Sequence, residues 1–475
     1  MISFLTSFAL LILGYILYGG LMERIIKPSA TAETVAVRRA DGVDYVPMPA
    51  WRIFMIQFLN IAGLGPIFGA IMGAKFGVAS YIWIVVGTIF AGAMHDYIAG
   101  MISLRNDGES LPESVSRYLG KSTGQVMRAF TVLLLVLVGV VFVAGPSGLL
   151  ASLTKDVSPF LNVNFWIILV FVYYIIATMM PIDKIIGRVY PIFSIALLFM
   201  AAGVFVMLLI KGGDVLPEFT DPIAPHPAGL PIFPMMFISI ACGAISGFHA
   251  SQSPMMARCM KSETLGRPIF YGAMVAEGIV ALIWAAAATY FFHENGFGES
   301  NAAVVVNTIT RDWLGSAGAV LAMLGVVFAP ITSGDTALRS ARLIVADFLD
   351  IEQKSIKSRL LISVPIFAAA IVILIYSLAD ADGFNVIWRY FAWANQLLSV
   401  FTLWMITVYL VENGKNYIIS LIPALFMTAV TTNYIFLAKE AFNTSATVAN
   451  VVTLVVLVVS VVRFILYMKG RKALN

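Results

Sequence analysis

His95 and Asp96 sit side by side in the run GAMHDYIAG, His249 follows GAISGF, and Glu277 stands alone in YGAMVAEGIVALIW. Asp335, Arg339 and Arg342 recur at i, i+4 and i+7 in PITSGDTALRSAR, behind the hydroxyls of Thr332 and Ser333, and Asn395 with Gln396 interrupts FAWANQLLSVF. Each stretch is apolar enough for hydrocarbon, where an ionisable side chain costs about 3 kcal/mol to insert on translocon scales. A carboxyl or imidazole group placed there is suited to carrying a proton. Hydroxyls and amides there are suited to ringing a sodium ion or a polar substrate. Each has a plain structural alternative: an imidazole that is only hydrogen-bonded, a hydroxyl bonded to its own helix carbonyl, or an Asp335–Arg339 pair at a snorkelling helix end. Hydrolytic chemistry finds no motif. The four histidines and two cysteines form no HExxH or paired-cysteine ligand set. Gly120-Lys121-Ser122 is no phosphate loop, because Val115 stands where its first glycine belongs.

Transmembrane helices must hold these groups. The 475 residues are 60% hydrophobic and 12% charged, about half the charge of an average soluble protein. Many apolar runs reach the roughly 20 residues that span a bilayer. Thirteen spans are predicted, at 4–22, 52–71, 77–104, 124–152, 163–180, 188–211, 231–257, 269–292, 316–348, 360–378, 385–410, 417–437 and 447–468. Alternate loops then face opposite sides. One side holds Lys75, Lys155, Lys211, Arg311, Arg389 and Lys439, which leaves 24 of the 30 Lys and Arg on the other. Such asymmetry is the positive-inside rule, so the N-terminus is expected outside and the C-terminus in the cytoplasm. The first span lacks a positive n-region and a small-residue cleavage motif, and reads as retained rather than as a removed signal. SLPESVSRYLG at 110–120 reads as a short interfacial helix. Cys242 and Cys259 read as parts of one helical segment, about 25 Å apart and too distant for a disulfide.

The chain also echoes itself. GVVFVAGPSG at 139–148 returns as GVVFAPITSG at 325–334, and FLNIAGLGPIFGA at 58–70 returns as FISIACGAISGFH at 237–249, offsets of 186 and 179 residues. Both comparisons pair spans five apart, and a five-span unit copied once lands upside down. The expected fold is therefore an all-α polytopic membrane protein with a LeuT-like 5+5 inverted repeat. A leading helix and loop (1–51) precede the first repeat (52–211). An external loop (212–230), the second repeat (231–410) and two C-terminal helices (411–475) follow. Transporters of this kind break the first helix of each repeat near mid-membrane. Gly63, Gly65 and Pro66 in the first repeat, and Gly243, Ser246 and Gly247 in the second, sit where such breaks belong. N–H groups freed at a half-helix start attract a carboxylate, and carbonyls freed at a half-helix end, at Ala62, bind a cation. The structural alternative is close helix packing, since Gly65, Gly69 and Gly73 are spaced by four.

GLGPIFGA, GAMHDYIAGMISLRNDGESL, ACGAISGFHASQSP, RPIFYGAMVAEGIVAL, TSGDTALRSARLIVADFL and FAWANQLLSVFTLWMITVYL resemble, in order, motifs of the carbon starvation protein A family. The resemblance covers most of 52–410. It implies a secondary transporter of the amino acid–polyamine–organocation superfamily, importing peptides or pyruvate under nutrient limitation. It also carries over Gly63, Gly65, Pro66, His95, Asp96, Gly243, Gly247, His249, Glu277, Asp335, Arg339, Asn395 and Gln396 as family motif positions. The segment after GFH departs from the family's Ser-Gly-Thr-Thr-Pro-Lys pattern. Here it reads Ala250-Ser251-Gln252-Ser253-Pro254-Met255, with methionine in place of lysine.

The expected function is cation-coupled symport, by alternating access, of short peptides, amino acids or small carboxylates such as pyruvate. The membrane expected is the bacterial or archaeal cytoplasmic membrane. The broken-span residues, with His249, Asn395 and Gln396, are expected at the substrate. Ala62, Thr332, Ser333, His95, Asp96, Glu277 and Asp335 are expected at the coupling H+ or Na+, and Arg339 and Arg342 at a gate. No cofactor is implied, and no metal beyond a sodium site. The partners expected are the substrate and the lipid bilayer; no basic stripe suits nucleic acid. The competing reading is a membrane nutrient sensor on a transporter scaffold.

Overall fold

In the computed structural model the long apolar runs become helices, since backbone in hydrocarbon must satisfy its own N–H and C=O groups. The residues described are 1–472 without 41–44, 180–185, 214, 224, 299–300, 352–354 and 380–382, so most of the loop expected at 181–187 lies outside them. Among the described residues every regular element is helical. The helices are α1 (Ile2–Ile26), α2 (Ala50–Ile61), α3 (Gly65–Ala74), α4 (Ala79–Arg105), α5 (Leu111–Leu119), α6 (Lys121–Thr154), α7 (Val163–Met179) and α8 (Ile186–Lys211). They continue with α9 (Gly247–Ala257), α10 (Gly272–Asn295), α11 (Ala302–Ala322), α12 (Ala329–Leu349), α13 (Ile356–Ala379), α14 (Gly383–Glu412), α15 (Ile418–Leu437) and α16 (Ala446–Lys472).

Ten of the described helical segments are long and apolar enough to cross a membrane, and the pair α2 and α3, bent by 47°, makes an eleventh. The two remaining predicted spans take other forms. α7 is a shorter apolar helix. The segment predicted at 231–257 is discontinuous: the turns Ile232–Met236 and Phe237–Ser239 lead into irregular backbone before α9 starts at Gly247. Cys242 therefore lies in that irregular stretch and Cys259 beyond α9, which corrects the expectation of one helical segment; both are free and buried. α11 occupies much of what reads as an external loop, with a kink at Gly315 (φ 60°, ψ −145°). Its Asn307, Thr310, Arg311 and Asp312 hide its helical period from a hydropathy reading. The interfacial helix is present as α5, where the Ser110 N–H donates to Glu113 Oε2 at 2.9 Å in a capping box.

Burial separates centre from rim. Of the apolar stretch of α4, 83% is buried inside the protein, against 6% for α16. α16 presents Leu454, Val455, Val458 and Val462 outward, as a lipid-facing helix does. At the centre the two interrupted spans cross. A β-carbon on Gly65 would lie 2.4 Å from Cys242 Sγ, one on Gly69 2.7 Å from the Ser239 carbonyl oxygen, and one on Gly73 2.3 Å from the Ile240 side chain. The four-residue glycine stripe of α3 is thus the surface on which residues 239–242 rest. Pro66 sits in the first turn of α3, where its missing N–H costs nothing.

Candidate functional site

The second interruption is held open by side chains from two helices. Backbone freed at residues 237–248 needs partners. Trp83 Nε1 donates to the Ile240 carbonyl at 3.3 Å, Thr88 Oγ1 to the Gly243 carbonyl at 3.1 Å, and Gln396 Nε2 to the Phe237 carbonyl at 3.2 Å. On the other side Asn395 Oδ1 accepts from Ser246 Oγ at 2.9 Å and from the Phe248 N–H at 2.7 Å, capping the start of α9. Its Nδ2 reaches Cys242 Sγ at 3.1 Å. Asn395 and Gln396 thus serve the interrupted backbone directly. Gly247 packs closely as well: a β-carbon there would lie 2.6 Å from the Asn395 carbonyl oxygen.

His249 is the third residue of α9, and it meets two carboxylates. Its Nδ1 lies 2.9 Å from Asp96 Oδ2 of α4, and its Nε2 lies 3.1 Å from Glu277 Oε2 of α10. The second contact has the distance of a charge pair but not the alignment of a hydrogen bond, so the oxygens of Glu277 keep unsatisfied lone pairs. His95 Nδ1 approaches the other oxygen of Asp96 at 2.8 Å. All four side chains are fully buried. α4 reaches two levels of the second interruption through its π turn at Gly87–Gly92. The turn absorbs an extra residue, so that Thr88 and Asp96 both face residues 243–249.

Two acids facing two imidazoles out of water form a site that can gain or lose a proton at small cost in geometry. His249 turns Nδ1 to Asp96 and Nε2 to Glu277, so one imidazole stands between two carboxylates. Among the described residues no group of three or more His, Cys, Asp or Glu is placed to hold a metal ion; these side chains bond to one another rather than converging on a point.

The remaining candidates lie apart from this cluster in their bonding. Thr332 and Ser333 both donate to the Ala329 carbonyl of their own helix, at 2.7 and 3.2 Å. Tyr190 donates to the Thr332 carbonyl at 3.1 Å. Arg339 Nη2 donates to the Ala177 carbonyl at 2.6 Å and stands 3.8 Å from Asp335, with Arg342 one turn on and also buried. Ala62 closes α2, its N–H bonded to the Phe58 carbonyl at 2.7 Å. A β-carbon on Gly63 would touch only the Phe142 ring, at 3.3 Å, and one on Gly243 would lie 2.5 Å from Ala281.

Sequence reasoning missed one group. At the cytoplasmic end expected from the charge pattern, Arg105 binds Glu263 at 2.8 Å, Tyr409 Oη at 3.2 Å and the Lys27 carbonyl at 3.1 Å. It ties the ends of α1, α4 and α14 to the turn after α9. Arg38 and Arg39 both pair with Asp107 beside it, on the wall of a polar cavity of about 520 Å³. Helix-end arginines are commonplace signals of sidedness, so nothing in the sequence marks this one.

A family model described as Carbon starvation protein CstA matches residues 1–158, 151–312 and 301–434. The chain belongs to the carbon starvation protein CstA family. It is 40% identical over 339 residues to an uncharacterized membrane protein of Haemophilus influenzae, covering 62% of this chain and 91% of that one. It is 27% identical to the peptide transporter CstA of Bacillus subtilis, covering 90% of this chain and 89% of that one. Against the pyruvate/proton symporter BtsT of Escherichia coli it is 28% identical, over 58% of this chain and 46% of that one. These named CstA-family relatives are transporters, not enzymes. In fold the chain is similar to the manganese transporter of Eremococcus coleocola, with a TM-score of 0.56 at 13% identity over 92% of this chain and 99% of that one. At that identity the likeness is one of fold alone.

Proposed function

We propose that this CstA-family protein is a proton-coupled symporter that imports short peptides, amino acids or a small carboxylate such as pyruvate by alternating access. The observation that carries the reading is His249 held between Asp96 and Glu277 at the start of the half-helix that follows an interruption. A protonatable cluster there joins proton occupancy to the position of α9, and through the glycine crossing to α3. The two interruptions, five spans apart, support a thirteen-span 5+5 inverted repeat in which α2 to α8 and residues 231–410 form the halves. The proton is favoured over sodium as coupling ion because the buried His249 imidazole lies between two buried carboxylates. In this reading the Arg105–Glu263 cluster latches the cytoplasmic end while the site is open outward. The N-terminus lies outside, the C-terminus inside, and the membrane is the cytoplasmic one. Uptake of labelled alanyl-alanine and of labelled pyruvate into proteoliposomes tests it. Accumulation of either under an inward proton gradient, abolished by an uncoupler, is expected; accumulation of neither overturns the reading.

A further inference from the structure

α2, the half-helix before the first interruption, carries two buried amides that nothing above uses. Gln57 is 0% exposed and Asn60 2%. Among the described residues, none of their four polar atoms (Gln57 Oε1 and Nε2, Asn60 Oδ1 and Nδ2) has a hydrogen-bond partner. Buried amides are almost always bonded, and an unbonded one is destabilising. Two of them, three residues apart on one face of one helix, immediately before an interruption, are not a packing solution: leucine or methionine would fill the same volume without the penalty.

Helical geometry places the pair. The Met55 carbonyl accepts from Ser194 Oγ of α8 at 2.7 Å, which fixes the side of α2 that faces α8. Residues 57 and 60 lie on the far side of the helix at 100° per residue. The other helices packed on α2 include α9 and α10, which carry His249 and Glu277. The pair is therefore turned away from α8, on a helix packed against both elements that carry His249 and Glu277, and it carries no charge itself.

We propose that Gln57 and Asn60 recognise an uncharged amide group of the transported molecule, an N–H beside a carbonyl. Each side-chain amide presents one acceptor oxygen and one NH2 donor. A carboxylate accepts only, so it engages both NH2 groups and leaves both amide oxygens bare. A hydroxyl engages one end of one side chain. A peptide-type amide engages an oxygen of one residue and an NH2 of the other at once. The inference rests on the transport reading for what the ligand is, but the binding site stands or falls by itself.

The test compares alanyl-alanine with its ester analogue alanyl-lactate, which replaces the peptide N–H by oxygen, in purified wild type, Gln57→Met and Asn60→Leu. Affinity is read by ligand-induced thermal shift, and transport by uptake into proteoliposomes. Wild type is expected to bind alanyl-alanine about tenfold more tightly than the ester, one hydrogen bond's worth. Each variant is expected to lose that preference while unfolding at the same or a higher temperature, because an unbonded polar group has been removed. A wild type that binds the two alike or binds neither, or variants that keep the tenfold preference, overturn the site. So do variants that both unfold at lower temperature, since the amides then serve the fold. A preference present in wild type and lost in the variants, with no uptake by either, keeps the site and overturns the transport reading instead.

Discussion

Asp96 accepts from two imidazoles at once, through different oxygens, with no water-exposed surface. Removing one member of a buried charged group leaves the others uncompensated, at a cost of about 3–5 kcal/mol. Asp96→Ala should therefore lower the unfolding temperature in detergent far more than His95→Asn, which keeps a group able to bond Asp96 Oδ1. Equal effects would show that Asp96 is not the hub. Each residue of this cluster stands out in the sequence as an ionisable group in an apolar run. Their meeting does not, because Asp96 and His249 are 153 positions apart and helical spacing relates residues only within one helix. The same limit hides the capping of α9, whose acceptor Asn395 follows Phe248 by 147 residues. The hydroxyls of Thr332 and Ser333 donate to a carbonyl of their own helix, a bond the sequence also offered, and their oxygens keep lone pairs.

At the scale of elements, the crossing of α3 over residues 239–242 depends on three glycines. Gly69→Ala would press a methyl group against the Ser239 carbonyl, and backbone has little room to yield. The expected cost is about 1–3 kcal/mol, read as a lower unfolding temperature. Gly63→Ala meets only the edge of the Phe142 ring, a side chain that can shift, and should cost less than Gly69→Ala. If the two alanines act alike, the crossing is not as tight as described. Asn395→Leu should destabilise by about 0.5–2 kcal/mol through loss of the cap on α9, in the same unfolding assay. The interruptions were legible because glycine and proline weaken a helix, and here they recur in two spans five apart. Their partner was not, since a stripe of small residues says that something approaches closely without saying what.

For the whole molecule, length and hydropathy sufficed for the long spans, while the bend between α2 and α3 was signalled by Gly63, Gly65 and Pro66. Length and hydropathy failed at α11, whose polar residues resemble a loop, and they gave no sign of the polar cluster around Arg105. The sidedness read from lysine and arginine is open to direct test, because both native cysteines are buried and give a low labelling background. A cysteine at Val157, which is 74% exposed beyond the end of α6, should react with an impermeant maleimide on intact cells. One at Lys469, near the end of α16, should react only after permeabilisation. The reverse pattern would invert the topology. The central claim, that a proton on the His249–Glu277 pair drives import, is tested most directly by Glu277→Gln in proteoliposomes with an imposed proton gradient. The variant should still exchange alanyl-alanine or pyruvate across the membrane but no longer accumulate it, whatever the gradient. Undiminished gradient-driven accumulation by Glu277→Gln would contradict the account.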